Sequence, residues 1–338
     1  MSASPGSPPT ARRIALLIAP NGGRRVLQDR PMVALGGLLV LLTALIDILS
    51  PGAVTLDWVS ATVIFAAPLG MMAAGQTLVI LTGGIDLSVG VVATAAGYVM
   101  ATQSPEGGAT QAILIGLAIG LIAGLANGIG VAVFQVQPLI MTLGMGLVAT
   151  GILNVYAQDT VAAGAVPIVP DVIRQLGAGR LLGFIPNSFV LWAILALIII
   201  VALRRTGYGR LLYATGNNRI ACRLAGVRVW QVLLVTYALA GLFSAIGGII
   251  LAGTTNVADR GLAEPYLLPS VAAVVIGGTS VFGGAGGYAG TVMGALILTI
   301  VAGLLVVIHA PAALSQIVYG GLILVVAAAY SRAVNEQT

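Results

Sequence analysis

The stretch Thr82-Gly83-Gly84-Ile85-Asp86-Leu87-Ser88-Val89-Gly90 lies between two almost purely apolar runs, Val59–Leu81 and Val91–Ala101. A helix needs roughly 20 apolar residues to cross a bilayer, so the flanks read as membrane spans and the stretch between them as a break. An ionised carboxylate at the bilayer centre costs about 2.5–3.5 kcal/mol on insertion scales, so Asp86 belongs where a broken helix brings dipoles or water to it. Gly83 and Gly84 supply that break and end the preceding helix. Asp86 with Ser88 is suited to cap the next helix, accepting free backbone N–H groups at the positive end of its dipole. Capping is the commoner duty of an Asp before an apolar run. A gate or coupling role stays open, because irregular backbone at membrane depth is tolerated where it is buried or lines a pathway. Direct contact with a transported solute is the third option.

Working outward, 59% of the 338 residues are hydrophobic and only 7% charged, with a mean hydropathy of +1.07. These values exclude an ordinary soluble surface and indicate an all-α integral membrane protein. The 15 basic residues are all Arg and the net charge is +5. In a membrane protein such charge orients loops rather than binding nucleic acid. The single cysteine, Cys222, excludes an internal disulfide framework and a Cys-based metal cluster. Ten spans are expected, at 32–50, 59–81, 86–102, 111–134, 138–157, 188–203, 230–252, 268–282, 287–308 and 313–330, each bounded by Gly, Pro, Asn or charge. With both termini in the cytoplasm, the inside segments hold twelve of the fifteen arginines. The outside segments keep Arg174, Arg180 and Arg260 beside Asp57, Glu106, Asp159, Asp171, Asp259 and Glu264, in accord with the positive-inside rule. The chain therefore divides into a cytoplasmic tail (1–30), one transmembrane domain (31–332) that includes a cytoplasmic loop at 204–229, and a cytoplasmic end (333–338).

Glycine is abundant, 46 residues against 6 Phe and 3 Trp, which predicts helices in close backbone contact. Gly116-x3-Gly120-x3-Gly124 and Gly286-x3-Gly290-x3-Gly294 are small-residue ridges of this kind. A second break, Gly277-Gly278-Thr-Ser-Val-Phe-Gly283-Gly284-Ala-Gly286-Gly287, falls on the inside. It lacks the Lys-Ser/Thr of a phosphate-cradling Walker A loop, so no nucleotide and no cofactor is expected in this chain. A tight connection beside the first break is the expectation. His309 lies near an outside turn before Pro311, and without a second His it makes no metal site.

The inside loop carries six arginines, Arg204, Arg205, Arg210, Arg219, Arg223 and Arg228. Orientation alone accounts for such charge, but the order of residues predicts more. Asn217 and Asn218 are good N-caps, Arg219–Ala225 is helix-compatible, and Gly226 is a terminator, so a short amphipathic helix is expected outside the bilayer. Elsewhere, the polar and aromatic residues fit to line a solute path are Gln76, Thr77, Tyr98, Asn127, Gln137, Thr142, Asn154, Tyr156, Tyr237, Ser244 and Asn256. Each could equally make an interhelical hydrogen bond or sit in a loop.

The sequences LTGGIDLSVG (81–90), YATGNNRIACRLAGV (213–227) and AAVVIGGTSVFGGAGGYAGTVMGALI (272–297) resemble those of the permease subunits of bacterial ABC importers for ribose, xylose and related monosaccharides. The resemblance spans nearly the whole chain. It implies ten membrane helices per subunit in the bacterial inner membrane, a second permease subunit, and sugar delivered by a periplasmic or extracellular binding protein. It also implies a pair of cytoplasmic ATPase domains, with Asn217–Gly226, including Asn218, Arg219, Ala221 and Arg223, as the segment that seats in the ATPase. Gly83, Gly84, Asp86, Ser88, Gly277, Gly278, Gly283 and Gly284 become the helix-break or gate residues.

Two departures stand out. Where many members carry Glu-Leu-Asp before the Ala-Ala-Val-Val run, this chain has Leu267-Leu268-Pro269-Ser270, with Glu264 the acid nearby. The usual acidic pair of the coupling segment is Arg219 and Ile220 here, which implies an ATPase surface of complementary charge. An intramembrane hydrolase is not supported, because one His, one Cys and Asp86 offer neither a nucleophile–base pair nor a metal cluster. Ion-coupled secondary transport of a small polar solute is the competing reading, since broken helices and a buried Asp serve it too.

Overall fold

A computed structural model describes residues 31–311, 313–321 and 324. The expected tail (1–30), Arg332 and the end (333–338) lie outside the described residues. The helices are α1 (Pro31–Leu49), α2 (Leu56–Leu81), α3 (Val89–Ala132), α4 (Pro138–Ala162), α5 (Asp171–Ala178), α6 (Asn187–Arg205), α7 (Gly207–Asn217), α8 (Arg219–Leu224) and α9 (Val229–Thr255). A 3-10 turn (Glu264–Tyr266) leads into α10 (Leu267–Ile276), and α11 (Tyr288–Val307) follows. Helix resumes at 313–321. Among the described residues the strand content is one two-residue antiparallel pair, β1 (Arg180–Leu181) and β2 (Ile185–Pro186).

Among the described residues seven helices are long and apolar enough to cross a membrane: α1, α2, the part of α3 from Gly107, α4, α6, α9 and α11. Glu264–Ile276 is a shorter apolar helix. The chain is an all-α, multi-pass membrane protein.

The spans expected at 86–102 and 111–134 both fall within α3, which is not one straight rod. Gly108 has φ +76° and ψ 163°, outside the helical region. A Cβ on Gly116 would lie 2.8 Å from the Ala96 carbonyl, whereas residues so far apart in a continuous helix stand about 30 Å from each other. The chain therefore reverses after Pro105 and returns antiparallel. Several boundaries differ from expectation, among them the end of α4, which runs on to Ala162 rather than 157. Helix starts at Val89 rather than 86, because residues 84–88 are held in an irregular turn, and α10 stops at Ile276 rather than 282, where Gly277 and Gly278 terminate it.

Helix α9 is the central post, buried along most of its length against α3 and α2. The glycine ridges explain how it fits. Gly120 packs onto the Gly241 carbonyl and Gly124 onto that of Tyr237, so backbone meets backbone with no side chain between. The second ridge works the same way, with Gly290 on Gly277 and Gly294 on Ala273, joining α11 to α10. From Ala66 to Leu81, α2 is entirely buried. By contrast α1 and α4 keep wide apolar faces exposed, including Val40, Leu41, Leu143 and Leu147, as helices bathed in lipid or covered by other helices do. At the far end of α9, α5 tucks in with Ile173 buried and Gly177 against Gly253.

Candidate functional site

Glycine-terminated helix ends build the site. At the end of α2, Gly83 takes φ +76°, its N–H donates to Ile80 O at 2.8 Å, and the Gly84 N–H donates to Val79 O at 3.2 Å. This is a Schellman ending, which satisfies carbonyls that the last turn leaves free and favours glycine at the left-handed position. Helix α10 ends identically: Gly278 has φ +82°, its N–H donates to Val275 O at 3.0 Å, and the Thr279 N–H donates to Val274 O at 3.1 Å. Beyond it the chain folds tightly, with Ser280 N–H on Ala285 O (2.9 Å) and Gly283 N–H on Ser280 O (3.0 Å).

The expected short helix is α8. Asn218 caps it, its Oδ1 accepting the Ala221 N–H at 2.9 Å, while Asn217 is the last residue of α7 rather than a cap. Gly226, at φ +80°, terminates it in a third Schellman ending, with Gly226 N–H on Arg223 O (3.0 Å) and Val227 N–H on Cys222 O (2.9 Å). Cys222 turns inward, and Ile220, Ala221, Arg223 and Leu224 are exposed.

The first two breaks meet each other and the Gly216–Arg219 segment that leads into α8. The Gly284 N–H donates to Leu81 O at 3.0 Å, joining the second break to the first. Gly216 lies flat against both the Leu81 carbonyl and the Gly284 nitrogen, so a Cβ there would collide with main-chain atoms of each. A Cβ on Gly283 would stand 2.9 Å from Gly83 N and 3.1 Å from Gly216 O. Asn217 Oδ1 fills the space beside Gly284. The Tyr213 hydroxyl donates to Gly286 O at 2.8 Å; burial pushes its pKa up, with Arg204 partly opposing, so the phenol keeps its proton. Arg219 is half-buried, and its Nη2 donates to Thr82 O at 2.7 Å. The sequence offered no signal for Gly216, Thr82 or Tyr213 beyond the glycine itself in a run that precedes two cap residues.

Asp86 sits next to this junction, buried. Its Oδ1 accepts the Ser88 N–H at 2.8 Å and the Ser88 hydroxyl at 2.6 Å. Ser88 occupies the N-cap position of α3 but makes no side-chain cap bond, because its hydroxyl is turned back to the carboxylate. Asn127 Nδ2 donates to Ser88 Oγ at 3.0 Å. Gln76 clamps the Asp86 main chain from α2, donating to its carbonyl and accepting its N–H, both at 3.3 Å. From α4, Thr142 Oγ1 accepts the Leu87 N–H at 3.0 Å and lies 3.1 Å from Ile85 O. Three residues picked as path candidates, Gln76, Asn127 and Thr142, thus hold the break in shape.

The other candidates lie elsewhere. Tyr98 and Tyr156 pack edge to face at 6.3 Å between α3 and α4, and the Tyr156 hydroxyl bonds Thr102 at 2.8 Å and Gln103 at 2.9 Å. Thr77 bonds Thr291 at 2.8 Å, Ser244 bonds the Ala240 carbonyl, and Tyr237 is buried with its hydroxyl beside Gly84. Gln137 and Asn154 are exposed, and Asn256 is the left-handed C-cap of α9.

The family described as "Branched-chain amino acid transport system / permease component" matches residues 59–327. The ribose import permease protein of Escherichia coli (strain K12) is 35% identical over 274 residues, covering 81% of this chain and 84% of the relative. The galactofuranose transporter permease protein of the same strain is 40% identical, covering 69% and 67%, and the fructose import permease protein of Rhizobium meliloti 34% identical, covering 69% and 66%. No solved structure matches. With the apolar helices, the glycine-ended breaks and these relatives taken together, the chain belongs to the ABC-importer permease family described as branched-chain amino acid transport system / permease component.

Proposed function

We propose that this chain forms the translocation path of an ATP-driven importer for a monosaccharide in the bacterial inner membrane. The reading rests on one observation above all: α8 and both glycine breaks meet at the arginine-rich end of the helices, through the bonds Gly284 N–H to Leu81 O and Arg219 to Thr82 O. The names of the relatives, ribose, galactofuranose and fructose import permeases, supply the substrate class.

In this account ten helices cross the membrane within one domain (31–332), and the tail, the loop 204–229 and the end 333–338 face the cytoplasm, where the arginines belong. The exposed face of α8, with Ile220, Ala221, Arg223 and Leu224, seats in a groove of a separate ATPase subunit. ATP is hydrolysed there, and the permease needs no cofactor. A second permease subunit, identical or paralogous, completes the path, and a periplasmic or extracellular binding protein delivers the sugar. Tyr98, Tyr156, Gln137, Asn154 and Asn256 remain the groups available to sugar hydroxyls and ring faces, while Gln76, Asn127 and Thr142 serve the break. The test is co-purification: Gly226→Pro, or deletion of Asn217–Gly226, abolishes capture of the ATPase while the helices stay inserted. Normal capture by either variant contradicts this placement of the docking face.

A further inference from the structure

We propose that Arg219 is a positioning residue that ties the ATPase-facing helix to the broken α2–α3 connection, delivering movement of α8 to the Asp86 break. The inference rests on the permease reading above and goes beyond it by naming the linkage.

Of the arginines in the inside loop, Arg204, Arg205, Arg210, Arg223 and Arg228 are exposed, and Arg219 alone is drawn inward. Its acceptor is the carbonyl of Thr82, the C-cap of α2. A helix C-terminus carries free carbonyls and the negative end of the dipole, so a guanidinium there makes a charge-assisted hydrogen bond rather than a casual contact. Position matters as much as strength. Arg219 is the first residue of α8, and the segment just before it, Gly216 and Asn217, lies against Leu81 O and Gly284. The end of α2 is therefore held by main chain at Leu81 and by a charged side chain at Thr82.

Four residues beyond Thr82 is Asp86, itself fixed to α2 by Gln76, to the start of α3 by Ser88, and through its neighbours to α4 by Thr142. A rigid-body shift of α8 thus reaches α4 along hydrogen bonds: Arg219 to Thr82, then the turn 83–88, then Thr142. An orientation signal has no reason to be buried, and an ATPase contact has no reason to point inward. A strut explains both.

The experiment reconstitutes the full transporter with its ATPase and binding protein and measures ATP hydrolysed per sugar imported, each rate normalised to the ATPase that co-purifies. The expected result is that Arg219→Ala raises this ratio about tenfold, the effect of losing one charged hydrogen bond, and that Arg219→Lys, which keeps a cationic donor, restores part of the coupling. If the Ala variant does not fold and insert in the membrane, Arg219→Gln carries the same test with a rise in the same direction, because it removes the charge that strengthens the bond to Thr82. An unchanged ratio overturns the proposal. So does loss of the ATPase from the purified complex, which would make Arg219 a docking residue. Failure of the permease reading looks different, since the unsubstituted protein would then import no sugar with ATP at all.

Discussion

The main-chain N–H of Gly284 donates to the carbonyl of Leu81 at 3.0 Å, and Gly216 packs against the same two groups. Two helix breaks far apart in sequence and the segment that leads into α8 are thereby one structural unit. Backbone contact of this kind leaves no room for a side chain.

Gly216→Ala should therefore destabilise the protein by about 1–3 kcal/mol, because its methyl group can be accommodated only by moving main chain. Gly144, on α4, has open space around it, so Gly144→Ala should be neutral or mildly stabilising. Thermal unfolding of the two variants in detergent checks this. Equal midpoints would remove the close junction.

Asp86→Asn should be mild, because an amide oxygen can still accept from the Ser88 N–H and hydroxyl. Asp86→Leu leaves that N–H unpaired in a dry site, at a cost of about 1–3 kcal/mol. Sugar uptake at matched membrane levels separates this from a charge-dependent gate. A gate would lose transport as fully with Asn as with Leu, with both complexes assembled normally.

Thr142 offers a parallel test from α4. Thr142→Val keeps the shape but strands the Leu87 N–H, and about 1–3 kcal/mol of stability should go with it, whereas Thr142→Ser retains the hydroxyl and should behave like the natural protein. Hydrogen exchange of the 84–88 amides, faster in the Val variant and unchanged in the Ser variant, is the readout.

Orientation can be checked by labelling. In a Cys222→Ala background, a cysteine at Asn256, exposed at the end of α9, should react with a membrane-impermeant maleimide added outside. A cysteine at Arg210, exposed in α7, should react only after the membrane is opened. The reverse pattern would invert the topology.

Local chemistry was legible in the chain. Gly83, Gly278 and Gly226 end helices because only a left-handed residue completes those turns, and Asn218 caps α8 because its side chain reaches an amide three residues on. Long-range pairing was not legible. Arg219 and Thr82 are 137 residues apart, and nothing in a cytoplasmic arginine announces that its acceptor is a helix-end carbonyl rather than an ATPase. The same limit applies to Gln76, Asn127 and Thr142. A polar residue in an apolar run marks a position that needs a partner, and periodicity does not say whether that partner is a solute or another helix. The start of α3 at Val89 depends likewise on partners supplied by α2 and α4.

The central claim is that this chain moves sugar only when a separate ATPase drives it. Proteoliposomes holding the chain with its ATPase and binding protein, or the chain alone, measure that directly through uptake of radiolabelled monosaccharide. ATP-dependent uptake should appear in the complete system and vanish when the ATPase is left out. Robust uptake by the chain alone under a proton or sodium gradient would contradict the account.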